Sequence, residues 1–156
     1  TMYDVLDMPE DLKKKIFNLE EDTVDIAVMS RWAEDLINLF NATGVCIRPP
    51  VLEKVGPTAL AGAYMSLTGF DVTPEELMKN AERTWNLMKL FNLREGEDIG
   101  EIRFPQRFYD VPLYGKTLDG EKVDKVLAEY CNARGWDPVT TRPTAEKLRE
   151  LGIKRA

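Results

Sequence analysis

The chain has 156 residues, the length of one typical domain, of which 44% are hydrophobic and 31% charged. Its 27 acidic residues outnumber its 21 basic residues and give a formal net charge of -6. Phosphate contacts need concentrated Lys and Arg, so we expect no nucleic-acid partner and no anionic membrane surface. The apolar runs are shorter than the roughly 20 residues that span a membrane, and the first residues lack a secretory-signal pattern.

Thiol and imidazole groups are scarce in this sequence. The two cysteines, Cys46 and Cys131, do not form a disulfide framework and predict a reduced, cytoplasmic setting. No histidine is present, which excludes Ser/His and Cys/His triads, histidine-ligated zinc and histidine bases. Any chemistry here would use carboxylates, Lys, Tyr, Cys or groups from another segment.

Apolar residues recur at steps of three and four along most of the chain, which predicts helices. The first predicted helix covers residues 8–17. The second covers residues 23–40, with Asp22 or Thr23 as its N-cap and Gly44 just beyond its end.

Two further helices are predicted to begin at prolines. One covers residues 57–67 and is rich in Ala and Gly, which allows close approach of a neighbouring backbone. The other follows a capping-box pattern, Thr73-Pro74-Glu75-Glu76, and should run to about Asn92. Its predicted buried face consists of Leu77, Ala81, Trp85, Met88 and Phe91.

Residues 100–120 differ from the rest, with prolines, aromatic residues and an Asp-Gly pair. We interpret this segment as extended, as a small hairpin or as an ordered loop. Helices should follow around 123–131, closed by Gly135, and at 144–151, capped by Thr144. The predicted fold class is all-α: a single irregular helical domain over residues 1–156.

Cys46 is the first candidate for chemistry because it follows a helix end in an irregular segment, where Pro49-Pro50 opposes helix. A thiolate there can reach a metal centre, although composition alone favours a small buried side chain. Neither one nor two cysteines can hold an iron–sulfur cluster of four thiolates. Cys46 is therefore either structural or completed by ligands outside this chain. Neighbouring carboxylates such as Glu75-Glu76 are better explained by helix capping and solvation than by catalysis.

Several short segments together carry a family resemblance. They are residues 60–64, 68–77, 82–87, 91–96, 105–108, 130–136 and 143–152. In order and spacing they resemble the C-terminal region of the tungsten-containing aldehyde ferredoxin oxidoreductases. The resemblance implies a mostly helical domain of an enzyme that oxidises aldehydes to carboxylic acids and passes electrons to ferredoxin. It also implies that the chain is a fragment of a longer oxidoreductase, whose N-terminal and middle domains are its partners.

The family's cofactors are a tungsten or molybdenum bis-pterin and a neighbouring 4Fe–4S cluster. Its fourth cluster cysteine ends an Asp-x-x-Gly-Leu-Cys motif, which corresponds here to residues 41–46. The resemblance thus implies that Cys46 is the fourth cluster ligand in the intact parent enzyme, and that Asn41, Gly44 and Val45 lie on the pterin side. Asn41 replaces the family's Asp and so exchanges a carboxylate for a neutral amide. The isolated chain should bind no cofactor and be inactive.

Two alternatives remain open. The chain could be a stand-alone helical interaction protein that has lost the redox site, which the amide at Asn41 and the missing histidine favour and Cys46 disfavours. It could also be a small subunit that completes a site on another polypeptide. In the family the resemblance points to, a Cys-x-x-Cys-x-x-x-Cys segment in the preceding domain supplies the other three cluster ligands. Such a segment upstream in the same reading frame would indicate a fragment, and its absence would indicate a stand-alone protein.

Overall fold

The computed structural model describes residue 4 and residues 6–48, 54–97 and 104–154. The helices are α1 (Glu10–Ile16), α2 (Ile26–Thr43), α3 (Pro57–Thr68), α4 (Pro74–Arg94), α5 (Arg107–Asp110), α6 (Gly120–Arg134) and α7 (Ala145–Glu150). Within the described ranges the only sheet is a two-stranded antiparallel one, β1 (Phe17–Asn18) with β2 (Thr23–Val24). The predicted all-α class is confirmed.

Contacts within the chain divide it into two compact units, Thr1–Leu87 and Met88–Ala156. The first unit has a hydrophobic core to which α2, α3 and α4 all contribute. Its buried members are Leu6, Leu36, Leu39, Phe40, Leu60, Ala61, Leu77 and Ala81. The expectation of one domain over residues 1–156 stays a prediction.

The start of α2 differs from the prediction. Thr23, expected at the helix start, lies in β2, and Asp25 is the N-cap, where its Oδ1 accepts a hydrogen bond from the Val28 N–H at 2.9 Å. The sequence offers Asp22, Thr23 and Asp25 as caps within four residues, and intrinsic preference does not separate them. The strand pairing of β1 with β2 therefore decides where the helix begins.

The start of α4 follows the predicted capping box. Thr73 Oγ1 accepts from the Glu76 N–H at 3.2 Å, and Glu76 Oε2 accepts from the Thr73 N–H at 2.8 Å. These bonds satisfy two backbone donors at the helix start. The predicted reciprocal cap is confirmed.

The predicted buried face of α4 is right in its first half and wrong in its second. Leu77 and Ala81 are buried, but Met88 and Phe91 are 50% and 54% exposed. The buried residues of the second half are instead Asn86, Lys89 and Leu93, two of which are polar. Polar side chains tolerate burial when they are hydrogen-bonded or paired. Asn86 Nδ2 donates to the Glu82 carbonyl at 2.9 Å, and Lys89 Nζ pairs with Glu97 Oε2 at 2.9 Å.

The second unit is organised around Trp136, which follows the Gly135 C-cap of α6. Its ring meets Tyr130 edge-on at 5.8 Å, and Lys89 Nζ lies 5.5 Å from the ring centroid. Trp136 also forms an antiparallel bridge with Pro143, so the chain returns along itself before α7. Thr144 caps α7 as predicted, since its Oγ1 accepts from the Lys147 N–H.

Part of the segment predicted as extended or hairpin-like, residues 100–103, lies outside the described residues. In the described part, Leu113 and Lys116 form an antiparallel bridge around Tyr114 and Gly115, both at positive φ. Two central residues at positive φ are typical of a two-residue hairpin turn. The short helix α5 was not predicted. Asp119, expected in a turn, is the N-cap of α6.

Candidate functional site

The candidate site begins where α2 ends. Gly44 has a left-handed backbone (φ 71°), and its N–H donates to the Asn41 carbonyl at 3.2 Å. The Val45 N–H donates to the Phe40 carbonyl at 3.0 Å. This pair of bonds is a Schellman motif, in which the residue after the glycine also packs on the last turn. Val45 is partly buried against the core that contains Phe40, so the turn is anchored from inside.

Cys46 follows this anchored turn, outside any helix or strand, and its side chain is exposed. The Arg48 N–H donates to its Sγ at 3.4 Å. The fold therefore presents the thiol outward and gives the sulfur a backbone donor. Such donors to cysteine sulfur are one means by which proteins tune iron–sulfur clusters. No pattern in the sequence indicated this bond, because it depends on the local backbone conformation.

The other three predicted site residues lie at the same helix end as Cys46. Asn41 and Gly44 are exposed, whereas the side chain of Val45 is partly buried in this chain's own core. The backbone carbonyl of Asn41 accepts the hydrogen bond from the Gly44 N–H. The side-chain amide of Asn41 is therefore the group that could reach another segment. The assignment of Asn41, Gly44 and Val45 to the pterin side stays a prediction.

Glycine is needed at position 44 for its backbone conformation and not for space. A Cβ added at Gly44 would meet no atom within 4 Å, but the φ of +71° is one that L-residues rarely adopt. We expect Gly44→Ala to lower the free energy of unfolding by about 1–2 kcal/mol. Gly62 lies inside α3 and is equally uncrowded. Gly62→Ala should therefore raise the free energy of unfolding by about 0.5–1 kcal/mol. Urea denaturation of both variants checks the opposite signs, and equal shifts would contradict this account.

Cys131 contrasts with Cys46, since it is fully buried on α6. Burial raises the pKa of the Cys131 thiol, and Asp137 raises it further, while the Lys89 ammonium partly opposes them. This placement fits a structural role for Cys131. We expect iodoacetamide at about pH 8 to modify Cys46 in the folded chain and Cys131 only after unfolding, because the thiolate must be both formed and reachable. Peptide mass spectrometry gives the two rates, and comparable rates would contradict the burial.

The described part of the chain does not complete a metal site by itself. Across residues 6–48, 54–97 and 104–154, no group of three or more His, Cys, Asp or Glu side chains could hold a metal ion. The donor chemistry at Cys46, an exposed thiol with a backbone N–H on its sulfur, fits one ligand of an iron–sulfur cluster. None of the helices in the described ranges is both long and apolar enough to cross a membrane.

The fold and the site define a mostly helical protein that presents a single thiol at a capped helix end. A family profile described as aldehyde ferredoxin oxidoreductase, domains 2 and 3, matches residues 3–153. The chain belongs to this family and corresponds to part of its C-terminal region.

The chain is similar to several curated proteins of this family. It is 31% identical over 124 residues to the tungsten-containing aldehyde ferredoxin oxidoreductase of Pyrococcus horikoshii, covering 78% of this chain and 20% of that protein. It is 32% identical over 123 residues to the same enzyme of Pyrococcus furiosus, covering 77% of this chain and 20% of that protein. The chain thus spans about a fifth of the length of these relatives. No solved structure matches it significantly.

Proposed function

We propose that the chain is the C-terminal domain of an aldehyde ferredoxin oxidoreductase-like enzyme, and that it is inactive alone. Cys46 is the fourth ligand of a 4Fe–4S cluster in the intact parent enzyme. Asn41, Gly44 and Val45 line the pterin side of the same site. Missing N-terminal and middle domains supply the other three thiolates and the base that binds the pterin.

The observation that supports this proposal best is the outward placement of Cys46 directly after a hydrogen-bonded and packed turn. A cluster ligand contributed by one segment to a site built by others must be exposed in the isolated segment. It must also be held in position, because a mobile thiol loses conformational entropy on binding. The Schellman turn at Gly44 and the packing of Val45 hold the segment, and the Arg48 N–H faces the sulfur.

The protein groups here would bind and tune the cofactors. When bound, the tungsten bis-pterin and the cluster would supply the two-electron oxidation of an aldehyde to a carboxylate, in which water provides the added oxygen, three protons are released and the two electrons pass to ferredoxin. The Cys46 thiolate would hold one iron, and the Arg48 N–H would stabilise negative charge on that sulfur. The neutral amide of Asn41 would donate as well as accept hydrogen bonds at the pterin side, which a carboxylate cannot do.

The proposal is tested by purifying the complete product of the gene from its native host without oxygen. We expect about four iron atoms per chain, tungsten or molybdenum, and the electron paramagnetic resonance signal of a reduced 4Fe–4S cluster. The 156-residue chain produced alone should be colourless and metal-free. A complete product without iron, tungsten or molybdenum would reject the proposal in favour of a stand-alone interaction protein. Metal held only with a co-purifying polypeptide would favour a small subunit.

A further inference from the structure

Helix α3 is apolar and uncharged. Residues 55–70 contain no Lys, Arg, Asp or Glu, and the helix has Ala or Gly at four of its positions. A helix that is apolar all round is normally buried on all sides. The uncharged surface of α3 therefore predicts that it lies in the interior of a protein.

The structure buries residues only in the first half of this helix, namely Pro57, Leu60 and Ala61. The Thr58 N–H donates to Asp7 Oδ2 at 2.8 Å, and Leu60 and Ala61 join the core of the first unit. From residue 63 to residue 70 every side chain or glycine is exposed. The large apolar residues of this stretch are Tyr64, Met65, Leu67 and Phe70, exposed by 38%, 42%, 86% and 67%.

This exposure is unfavourable in water. Isolated helices shorter than about 12–15 residues are marginally stable, and most helical stability in proteins comes from packing. The exposed half of α3 has little packing in this chain and no charged side chain to solvate it. A group of exposed large apolar residues within one short segment is typical of an interaction site.

We infer that residues 63–70, the exposed half of α3 and the two residues after it, dock onto the part of a family-length polypeptide that lies outside these 156 residues. The chain spans about a fifth of its relatives' length, so the proposed parent enzyme has ample surface to cover it. Val45, next to Cys46, packs on the same core as Leu60 and Ala61 of α3. One core thus supports both the proposed cluster ligand and the proposed docking helix. The inference rests on the proposed function, because it needs a longer parent.

A membrane is a poorer occupant. A helix that lies in a membrane surface normally has a polar face rich in Lys and Arg, and α3 has no charged residue. At 12 residues α3 is also shorter than the roughly 20 that cross a bilayer.

The test uses the complete gene product and the reactivity of Met65 as its probe. Hydrogen peroxide oxidises exposed methionines to sulfoxides, and peptide mass spectrometry measures each rate. We expect Met65 to be oxidised at least about tenfold more slowly in the native protein than in urea. Met8, which is buried, provides the reference for full protection, and the Met65 ratio should approach that of Met8. A half-exposed Met65 would show only a small difference. A Met65 rate near that in urea would overturn the inference.

The second part of the test is a pair of variants of the same product. Leu67→Glu should reduce the yield of soluble protein at least about tenfold, because it places a charge in the docked face. Leu19→Glu makes the same change at a 91% exposed residue in the turn between β1 and β2 and should be tolerated. Equal yields for the two variants would overturn the inference.

Other outcomes identify a different occupant and also overturn the inference. These are a complete product with no residues beyond these 156, protection of Met65 only in a dimer, and protection only with phosphatidylcholine–phosphatidylglycerol vesicles. Iron content distinguishes this inference from the proposed function. A product with its cluster but with a reactive Met65 keeps the function and rejects the docking surface. A product without iron but with a protected Met65 keeps the docking surface and rejects the proposed function.

Discussion

Replacing Cys46 with alanine is expected to lower the iron content of the complete protein from about four atoms per chain to three or fewer. Each iron of a 4Fe–4S cluster is held by one thiolate, so removing one ligand leaves an iron that chelators and oxygen can extract. The electron paramagnetic resonance signal should change in shape or disappear. In the enzyme that we propose, electron transfer to ferredoxin should fall with it.

The matched control is Cys131→Ala, which removes the other thiol of the chain. Cys131 is fully buried in α6, so this variant should lose stability through a small cavity but keep its iron. The free energy of unfolding of Cys46→Ala should stay within about 0.5 kcal/mol of the parent's, because Cys46 is exposed. Full iron content and an unchanged signal in Cys46→Ala would show that its thiol is not a ligand.

The helix ends of this protein were largely predictable because short-range chemistry determines them. Gly44 and Gly135 adopt the left-handed conformation that glycine favours, and both follow the last residue of a helix. The Thr73-Pro74 start of α4 depends on two hydrogen bonds within four residues. Such signals need no knowledge of the rest of the fold.

The buried faces were less predictable because they depend on what each helix packs against. Periodicity identified Met88 and Phe91 as apolar positions of α4, but the chain buries Asn86 and Lys89 instead. Burial of Lys89 is tolerated because Glu97 and the ring of Trp136 stabilise its charge. The sequence does not show that these residues are its partners. An apolar stripe thus indicates a surface that needs a cover, without indicating whether this chain supplies it.

The candidate site was predictable in part for the same reason. Composition alone favoured a small buried side chain at Cys46, and its exposure in the structure contradicts that expectation. Its position in an irregular segment after a helix-ending glycine predicted instead that a thiolate there can reach a metal centre, which exposure allows. The sulfur's hydrogen bond from the Arg48 N–H depends on backbone angles that residue types do not specify. The ligand role itself came from the resemblance, since a single thiol has no metal chemistry that spacing can reveal.

Phe40→Ala is expected to cost the 156-residue chain about 3–5 kcal/mol of unfolding free energy, which is a large part of a typical domain's 5–15 kcal/mol. Phe40 is fully buried in the core of the first unit, so its removal loses apolar burial and leaves a cavity. The bond from the Val45 N–H goes to the Phe40 carbonyl, which alanine keeps. The loss therefore reports side-chain packing and not the turn before Cys46.

Urea denaturation followed by circular dichroism measures this loss as a lower midpoint with an unchanged slope. Phe70→Ala is the matched control, because Phe70 is 67% exposed in this chain and its removal should change stability by less than about 1 kcal/mol. If Phe40→Ala cost no more than Phe70→Ala, the core that supports the end of α2 would be wrongly placed. The anchoring of Cys46 through Val45 would then lose its physical basis, since Val45 packs on that same core.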